Sequence, residues 1–352
     1  MAVRIRESID RLPAYRPGKP APADAFKLSS NENPFPPLQA VIDEITAAAA
    51  SMNLYPIPDA RPLREALSRL YQVDHERIVI THGSVMGLQQ LISAVAGPGD
   101  EVVYAWRSFE AYPLLTQLAG ATSVQVPLLP DSAHDLDAMI DAITENTKVV
   151  IVCSPNNPTS NIITQQQFDD FVARVPDHVL VLLDEAYIEF VQEPTVDGIA
   201  AQAEHQNVVV LRTFSKAYGL AGLRVGYSMG DPRILNAAFN TVAPFAVDNI
   251  AQRAALAALE SAGEVFARVE SIADQAADIF EELTSRGVQL PKPHGNFIWI
   301  AASGVDPERV QEVLARHGIV ARAFPEGVRI SIGDPKSKQR VIDAAEEISR
   351  LS

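Results

Sequence analysis

The sequence contains very little cysteine and no long apolar run. One cysteine among 352 residues excludes an internal disulfide bond and favours a reducing compartment, so we expect a cytoplasmic protein. No uninterrupted apolar stretch reaches the roughly 20 residues that are needed to span a bilayer. Residues 1–10 lack the apolar core of a signal peptide. We therefore expect no association with a membrane.

Basic residues are also few compared with acidic ones. Lys and Arg number 29 against 44 Asp and Glu, which gives a formal net charge of −15. Phosphate-rich surfaces would be repelled, and this argues against nucleic acids and anionic membranes as partners. An anionic small molecule would have to be held by a local group of arginines. The chain is long enough, and at 47% hydrophobic residues apolar enough, for two domains with a large core.

Three common ligand-binding patterns are missing. The sequence contains no Gly-x-x-x-x-Gly-Lys-Ser/Thr phosphate loop. Gly219, Gly222 and Gly226 do not have the dinucleotide-binding spacing, and they predict a tight turn instead. The seven histidines show no spacing that is typical of metal ligands, so we expect no metal.

The pattern of apolar runs predicts an α/β protein. The first forty or so residues are rich in proline and are too broken for a helix or a central strand, so they predict an arm. From about residue 60, runs that are apolar on both faces alternate with helical periodicity, which is typical of a mainly parallel sheet covered on both sides. The predicted strands are 77–80, 101–104, 149–152, 179–183 and 208–211, and the predicted helices include 63–70 and 84–94.

A second unit is predicted beyond residue 249. Alanine- and glutamate-rich helices over 250–259 and 265–284 precede strands at 296–300 and 328–332. This order predicts a smaller α+β domain. We therefore expect an N-terminal arm at 1–45 that contributes to the small domain, a large domain at 46–248 and a small domain at 249–352.

Polar residues follow several of the predicted strands, where ligands of a doubly wound sheet bind. Lys216, with Ser215 before it and Arg224 eight positions later, places an amine, a hydroxyl and a guanidinium at one strand end. Such a lysine forms a Schiff base with an aldehyde cofactor, while the other two groups bind its phosphate. Asp184 fits the protonated ring nitrogen of that cofactor, although alone it would equally fit a helix cap or the magnesium site of an ATPase. Tyr187 follows it by three residues.

Two further segments extend this set. Asn157, in a proline-rich turn, is placed to donate to the cofactor's phenolic oxygen, as is Tyr187. Gly83, Ser84 and Val85 begin a predicted helix, whose backbone N–H groups and dipole favour a phosphate.

Six motifs span nearly the whole chain: Ser30-Asn31-Glu32-Asn33-Pro34, Tyr55-Pro56, Ser154-Pro155-Asn156-Asn157-Pro158-Thr159, Asp184-Glu185-Ala186-Tyr187, Thr213-Phe214-Ser215-Lys216 through Arg224, and Val328-Arg329-Ile330-Ser331-Ile332-Gly333. Together, and in this order, they resemble the histidinol-phosphate aminotransferase family, whose fold is the aspartate-aminotransferase type. Within that family the segments 106–113 and 211–216 most resemble the actinobacterial branch of phenylalanine or aromatic amino acid aminotransferases.

The resemblance implies pyridoxal 5′-phosphate as the cofactor, with Lys216 as the residue that binds it covalently. It also implies a homodimer in which Tyr55 completes the phosphate site of the partner subunit. Phe109 would stack on the cofactor ring. Arg329 would bind the substrate's α-carboxylate through two hydrogen bonds.

The side-chain pocket is expected to involve Arg322, Tyr15, Asn33 and Phe245. Arg322 matches a position that holds the substrate phosphate in histidinol-phosphate enzymes, but it would equally hold a distal carboxylate. Phe245 stands where the histidinol-phosphate branch often has a tyrosine, so a hydroxyl that helps to bind phosphate is replaced by an apolar wall. Tyr15 does not discriminate between the two branches.

The function that these observations favour is transfer of an amino group between an aromatic amino acid, such as phenylalanine or tyrosine, and 2-oxoglutarate. Three alternatives remain open. The first is histidinol-phosphate aminotransferase, which shares all the catalytic residues. The second is a decarboxylase of the same fold, similar to threonine-phosphate decarboxylase. The third is a catalytically silent binding protein that has this fold but does not carry out the reaction.

Overall fold

The computed structural model describes residues 3, 5, 7–10 and 21–351. It has α/β architecture, as predicted. The helices are α1 (Glu7–Asp10), α2 (Gln39–Ala49), α3 (Arg61–Tyr71), α4 (Ser84–Val95), α5 (Ala111–Ala119), α6 (Leu136–Asp141), α7 (Gln165–Val172), α8 (Gly198–Glu204), α9 (Pro232–Phe239), α10 (Asn249–Glu260), α11 (Ala262–Ser285), α12 (Pro307–Arg316) and α13 (Lys338–Ser349). The strands are β1 (Phe26–Lys27), β2 (Ile78–Thr81), β3 (Glu101–Trp106), β4 (Thr122–Pro127), β5 (Thr147–Cys153), β6 (Leu180–Asp184), β7 (Val208–Thr213), β8 (Gly226–Met229), β9 (Phe297–Ala301), β10 (Ile319–Val320), β11 (Arg322–Phe324) and β12 (Gly327–Ser331).

Within the described residues, a seven-stranded sheet organises the large part of the molecule in the order β2-β8-β7-β6-β5-β3-β4. All neighbours are parallel except β8, which runs antiparallel to both β2 and β7. Strands β5 to β7 are apolar along almost their whole length because helices cover both faces of the sheet. The carboxyl ends of these parallel strands therefore open at one edge, where the polar residues that follow them meet.

Strand β8 corrects the prediction of a simple turn at Gly219, Gly222 and Gly226. A 3-10 helix at Ala221–Leu223 follows Gly219, but Gly226 begins a strand inside the sheet. A Cβ at Gly226 would lie 2.7 Å from the backbone nitrogen of Ser84, so only glycine permits this close approach. The edge strand β4 was also not predicted, because its sequence, Thr-Ser-Val-Gln-Val-Pro, alternates and is only partly apolar.

The smaller unit contains the antiparallel sheet β11-β12-β9 and the helices α11, α12 and α13. The N-terminal segment joins it through β1, which pairs in parallel with β10. This pairing supports the proposal that the arm contributes to the small domain. Helix α1 was not expected, since the arm was predicted to contain no helix. The proposed boundary at residue 45 falls inside α2, which packs against α10.

No helix in the described part of the chain is both long and apolar enough to cross a bilayer.

Candidate active site

A cavity of about 250 Å³ lies at the carboxyl edge of the large sheet, between it and the small unit. Its wall brings together residues from β6, β7, the start of α4, the N-terminal segment and the strands β11 and β12. Most of the predicted site residues line it: Ser84, Val85, Phe109, Asn157, Asp184, Tyr187, Ser215, Lys216, Arg224, Arg322 and Arg329.

Lys216 follows β7 and points its amine into this cavity. The Nζ atom donates hydrogen bonds to the backbone carbonyls of Ser30 at 3.0 Å and Asn31 at 3.2 Å. Burial lowers the pKa of Lys216 to about 7, and the positive charge of Arg329 contributes to the decrease. The amine is therefore partly neutral near pH 7, which a lysine nucleophile requires.

Asp184 ends β6 and is almost completely buried. Its Oδ2 atom accepts a hydrogen bond of 2.7 Å from the hydroxyl of Tyr112, whereas Oδ1 has no hydrogen-bond partner among the described residues. Burial raises the pKa of Asp184 to about 6, although the bond from Tyr112 opposes that rise. A buried carboxylate with one unoccupied oxygen is suited to bind a cation at the floor of the cavity.

Neighbouring residues donate hydrogen bonds to Tyr187 and Asn157 and leave both side chains able to donate in turn. The amide of Asn31 donates to the Tyr187 hydroxyl at 3.0 Å, so the hydroxyl proton remains available for donation. Arg329 donates to Oδ1 of Asn157 at 2.6 Å, which leaves the Asn157 amide N–H groups as donors. Burial raises the pKa of Tyr187 to about 12, so the hydroxyl stays protonated at neutral pH.

The turn after β7 and the start of α4 form a corner that suits an anion. Arg224 donates through Nη1 to Oγ of Ser215 at 3.2 Å and to the carbonyl of Ala221 at 2.9 Å. Gly83 is the N-cap of α4, so no side-chain oxygen occupies the first N–H groups of the helix, and Ser84 follows directly. A Cβ at Gly83 would lie 2.7 Å from Nη2 of Arg224, so glycine lets the guanidinium approach this helix start.

Two arginines extend from the small unit into the same cavity. Arg329 is buried and donates through Nη2 to the carbonyl of Ser29 at 2.6 Å, besides its bond to Asn157. Arg322 is more exposed, and its Nε and Nη2 atoms donate to the two carboxylate oxygens of Glu110 at 3.1 and 2.9 Å.

Among the described residues, four of those predicted are not in the cavity wall: Gly83, Asn33, Tyr55 and Phe245. The amide of Asn33 donates to the carbonyl of Ala217 at 3.1 Å and so stabilises the turn that carries Lys216. Tyr55 is 82% exposed and stacks on Phe245, with ring centroids 4.5 Å apart. Neither ring lines the cavity. Tyr15 lies outside the described residues.

Sequence reasoning missed three residues that shape the site. Asn31 lies in the quoted motif, but Asn33 has the same side chain and was selected instead. Tyr112 and Glu110 both lie in the segment 106–113, where only Phe109 received a role. The signal for Glu110 was a carboxylate next to a predicted ring-stacking residue, while nothing local indicated that Tyr112 would reach Asp184.

The remaining polar residues of the cavity carry no metal signature. Within the described ranges, no group of three or more His, Cys, Asp or Glu side chains is arranged to hold a metal ion. The single cysteine, Cys153, lies beside Asp184 on the neighbouring strand, and burial raises the pKa of its thiol to about 12. It is therefore an inert thiol at neutral pH.

Comparison with known proteins identifies the family of this chain. Residues 23–344 match the sequence profile of the family described as aminotransferase class I and II. The aromatic amino acid aminotransferase of Streptomyces coelicolor is 46% identical over 352 residues, which covers 99% of this chain and 98% of that protein.

Solved structures show the same architecture. The histidinol-phosphate aminotransferase of Sinorhizobium meliloti in complex with pyridoxal-5′-phosphate superposes with a TM-score of 0.88 at 27% identity, and the match covers 99% of this chain and 98% of that one. An aspartate aminotransferase tetra mutant from Thermus thermophilus has a TM-score of 0.83 at 25% identity, with 99% of each chain covered. The predicted aspartate-aminotransferase-type fold is thus confirmed.

Proposed function

Because the chain belongs to the class I and II aminotransferases, we propose that it uses pyridoxal 5′-phosphate to move an amino group between an aromatic amino acid and 2-oxoglutarate. The observation that carries the proposal is the placement of two buried groups in one cavity. The amine of Lys216 has a pKa near neutrality, and Asp184 keeps one carboxylate oxygen without a partner.

The cavity residues fit this cofactor. Oδ1 of Asp184 would accept from the protonated ring nitrogen, and the ring's positive charge would lower the raised pKa of Asp184. Ser215, Arg224 and the N–H groups at Gly83, Ser84 and Val85 would bind the phosphate. Bound pyridoxal phosphate supplies an aldehyde that accepts the amino group and a ring that takes up electrons from the Cα–H bond.

Other residues of the cavity would position the cofactor ring and move the proton. Asn157 and Tyr187 would each donate a hydrogen bond to the cofactor's phenolic oxygen, because Arg329 and Asn31 already direct their remaining polar atoms. Phe109 would cover the ring. Lys216, once released from the cofactor, would act as the general base that removes the Cα proton, a role for which its lowered pKa is suited.

Substrate binding is proposed from the two arginines and from the relatives. Arg329 would bind the α-carboxylate, since it is buried and held by Asn157 and Ser29. The preference for an aromatic side chain rests on the similarity to aromatic amino acid aminotransferases, of which the Streptomyces coelicolor protein is one. Phenylalanine is the donor we propose, and Tyr15 would contact it from the N-terminal arm.

We further propose a cytoplasmic homodimer. Tyr55 and Phe245 stack on each other at the surface, away from their own cavity. In the dimer this pair would reach the partner's site, where Tyr55 would contact the phosphate and Phe245 would form an apolar wall for the substrate.

Histidinol phosphate is the second candidate substrate. Arg322 lines the cavity, where it could bind a phosphate as well as a carboxylate, and the structure of a histidinol-phosphate aminotransferase superposes closely. The same reaction and the same catalytic residues would apply.

Two experiments test the proposal. Borohydride reduction of the purified protein, followed by peptide mass spectrometry, should find the cofactor on Lys216, and Lys216→Ala should lose both the adduct and transamination. Protein that ignores added pyridoxal phosphate would favour the catalytically silent binding protein instead. A donor panel with 2-oxoglutarate as acceptor should rank phenylalanine or tyrosine first, and a clear preference for histidinol phosphate would overturn the aromatic assignment.

A further inference from the structure

Arg322 and Arg329 are directly opposed residues on the antiparallel strands β11 and β12. Opposed residues of such a pair project from the same face, with Cβ atoms about 4.5–5.5 Å apart. Both line the cavity, but Arg329 is buried whereas the side chain of Arg322 is 25% exposed. If Arg329 binds the α-carboxylate, Arg322 therefore lies towards the other end of the substrate.

The carboxylate of Glu110 binds the guanidinium of Arg322 as the carboxylate of a substrate would. Its two oxygens accept from Nε and Nη2 at 3.1 and 2.9 Å, the parallel pair of bonds that a guanidinium makes with a dicarboxylate's distal group. Glu110 also lines the cavity, and its side chain is 31% exposed. The carboxylate can therefore leave Arg322 for water without becoming a buried unpaired charge.

This pairing changes the charge that a substrate side chain meets. With Glu110 in place, the charge of Arg322 is balanced by a carboxylate, which suits an uncharged aromatic ring. A distal carboxylate, in contrast, has to compete with Glu110 for the same two N–H groups, and two anions beside one guanidinium repel each other.

We propose that Glu110 is a specificity-determining residue: its carboxylate neutralises Arg322 while an aromatic substrate is bound, and it is displaced by the distal carboxylate of a dicarboxylate substrate. The proposal rests on the proposed function, because it requires one site to accept both kinds of substrate. It assigns to Glu110 the balance between them.

The test compares Glu110→Gln with a matched control, Glu326→Gln. Glu326 forms the same two-bond pair with Arg107, also between the two units, but neither residue lines the cavity. The two half-reactions are measured separately by single-turnover kinetics, with phenylalanine on the pyridoxal form and 2-oxoglutarate on the pyridoxamine form. The readout is the ratio of the two kcat/KM values.

Glu110→Gln should shift that ratio towards 2-oxoglutarate by roughly threefold to tenfold, since an exposed ion pair contributes little and a like-charge contact more. Glu326→Gln should leave the ratio unchanged, and in an Arg322→Gln background the Glu110 substitution should have no further effect.

Two results would overturn the proposal while leaving the proposed function intact. In one, the wild-type enzyme transaminates both substrates, but Glu110→Gln leaves the ratio of the two kcat/KM values unchanged. The other is an equal response to Glu326→Gln, which would assign the effect to contact between the units. A wild-type protein that transaminates neither substrate would instead refute the proposed function.

Discussion

The hydroxyl of Tyr112 donates a 2.7 Å hydrogen bond to Asp184, and this is the side-chain bond that directs the buried carboxylate. In Tyr112→Phe both oxygens would lack a side-chain donor, and the pKa of Asp184 would rise further above about 6 because the bond lowers it. We expect about tenfold weaker binding of pyridoxal phosphate, since bonds to charged groups contribute about 1.5–3 kcal/mol. Titration of the apoprotein measures this.

The matched control is Tyr104→Phe. Tyr104 is equally buried and packs edge-on against Tyr112, but its hydroxyl accepts from Gln125. An equal loss of affinity in both variants would mean that packing, and not the bond to Asp184, supports the cofactor.

Gly83→Ala should disrupt the proposed phosphate corner. The backbone at Gly83 has φ +74°, and the new Cβ would lie 2.7 Å from Nη2 of Arg224, so the guanidinium would have to move. We expect at least about tenfold weaker cofactor binding, a loss of about 1.4 kcal/mol, in equilibrium titration. Gly222→Ala, in the adjacent turn with open space around its Cβ position, should bind normally. Normal affinity in Gly83→Ala would mean that Arg224 does not bind the phosphate.

The rate at which the cofactor attaches to the apoprotein should depend on the fraction of Lys216 whose amine is neutral. The rate should rise as pH increases through about 7, because burial and Arg329 lower the pKa of this lysine. Glu32 raises the same pKa, so Glu32→Gln should move the midpoint to lower pH. Stopped-flow absorbance over a pH series measures both profiles.

Glu44→Gln serves as the control for that shift. Glu44 pairs with Arg253 and is not among the charges that act on Lys216. A wild-type midpoint near the ordinary lysine value of about 10.4 would contradict the low pKa.

The sign of the linked effect on stability follows from the same shift. The unfolded chain binds a proton at this lysine up to its ordinary pKa, whereas the folded apoprotein releases it above about pH 7. The contribution of Lys216 to the free energy of unfolding therefore increases with pH between these two values.

Glu185→Gln should destabilise the large sheet. Glu185 is fully buried and its Oε2 accepts a 2.8 Å hydrogen bond from Nε of Arg212, which is itself buried. Removing the negative charge takes away the carboxylate that is hydrogen-bonded to Arg212, and breaking such a pair costs about 3–5 kcal/mol. Urea unfolding measures the change in the free energy of unfolding.

Glu347→Gln provides the comparison at the surface. Glu347 pairs with His317 and Arg316 on exposed helices, so its loss should cost less than about 1 kcal/mol. Similar losses in the two variants would show that water screens the Glu185–Arg212 pair.

Much of the fold could be predicted because the signals are local. The apolar runs at 149–152, 179–183 and 208–211 became the centre of the sheet, and the family resemblance read from the motifs is confirmed by the profile match. Strand β8 was missed, since its four residues follow a glycine-rich turn and are recognisable only by the close approach of Gly226 to Ser84.

The residues that line the candidate site were easier to predict than the contacts among them. Lys216 and Asp184 follow neighbouring strands and both line the cavity, and so does Arg329, which was named from the family resemblance. Asn33 was chosen for the substrate, yet it is Asn31 that contacts Tyr187. The two asparagines have the same side chain and both follow β1, so residue type does not indicate which of them the backbone directs towards Tyr187.

The sequence alone determined which chemical groups are available and which strand each one follows, because apolar periodicity and short motifs act over a few residues. Only the tertiary structure decided how these groups pair. Tyr112 meets Asp184 across 72 residues, and Asn31 meets Ser331 across 300. Such pairs depend on the order of strands in the sheet and on the position of the small unit over its edge. Burial in that cleft then lowers the pKa of Lys216 and raises that of Asp184, shifts that no local pattern contains.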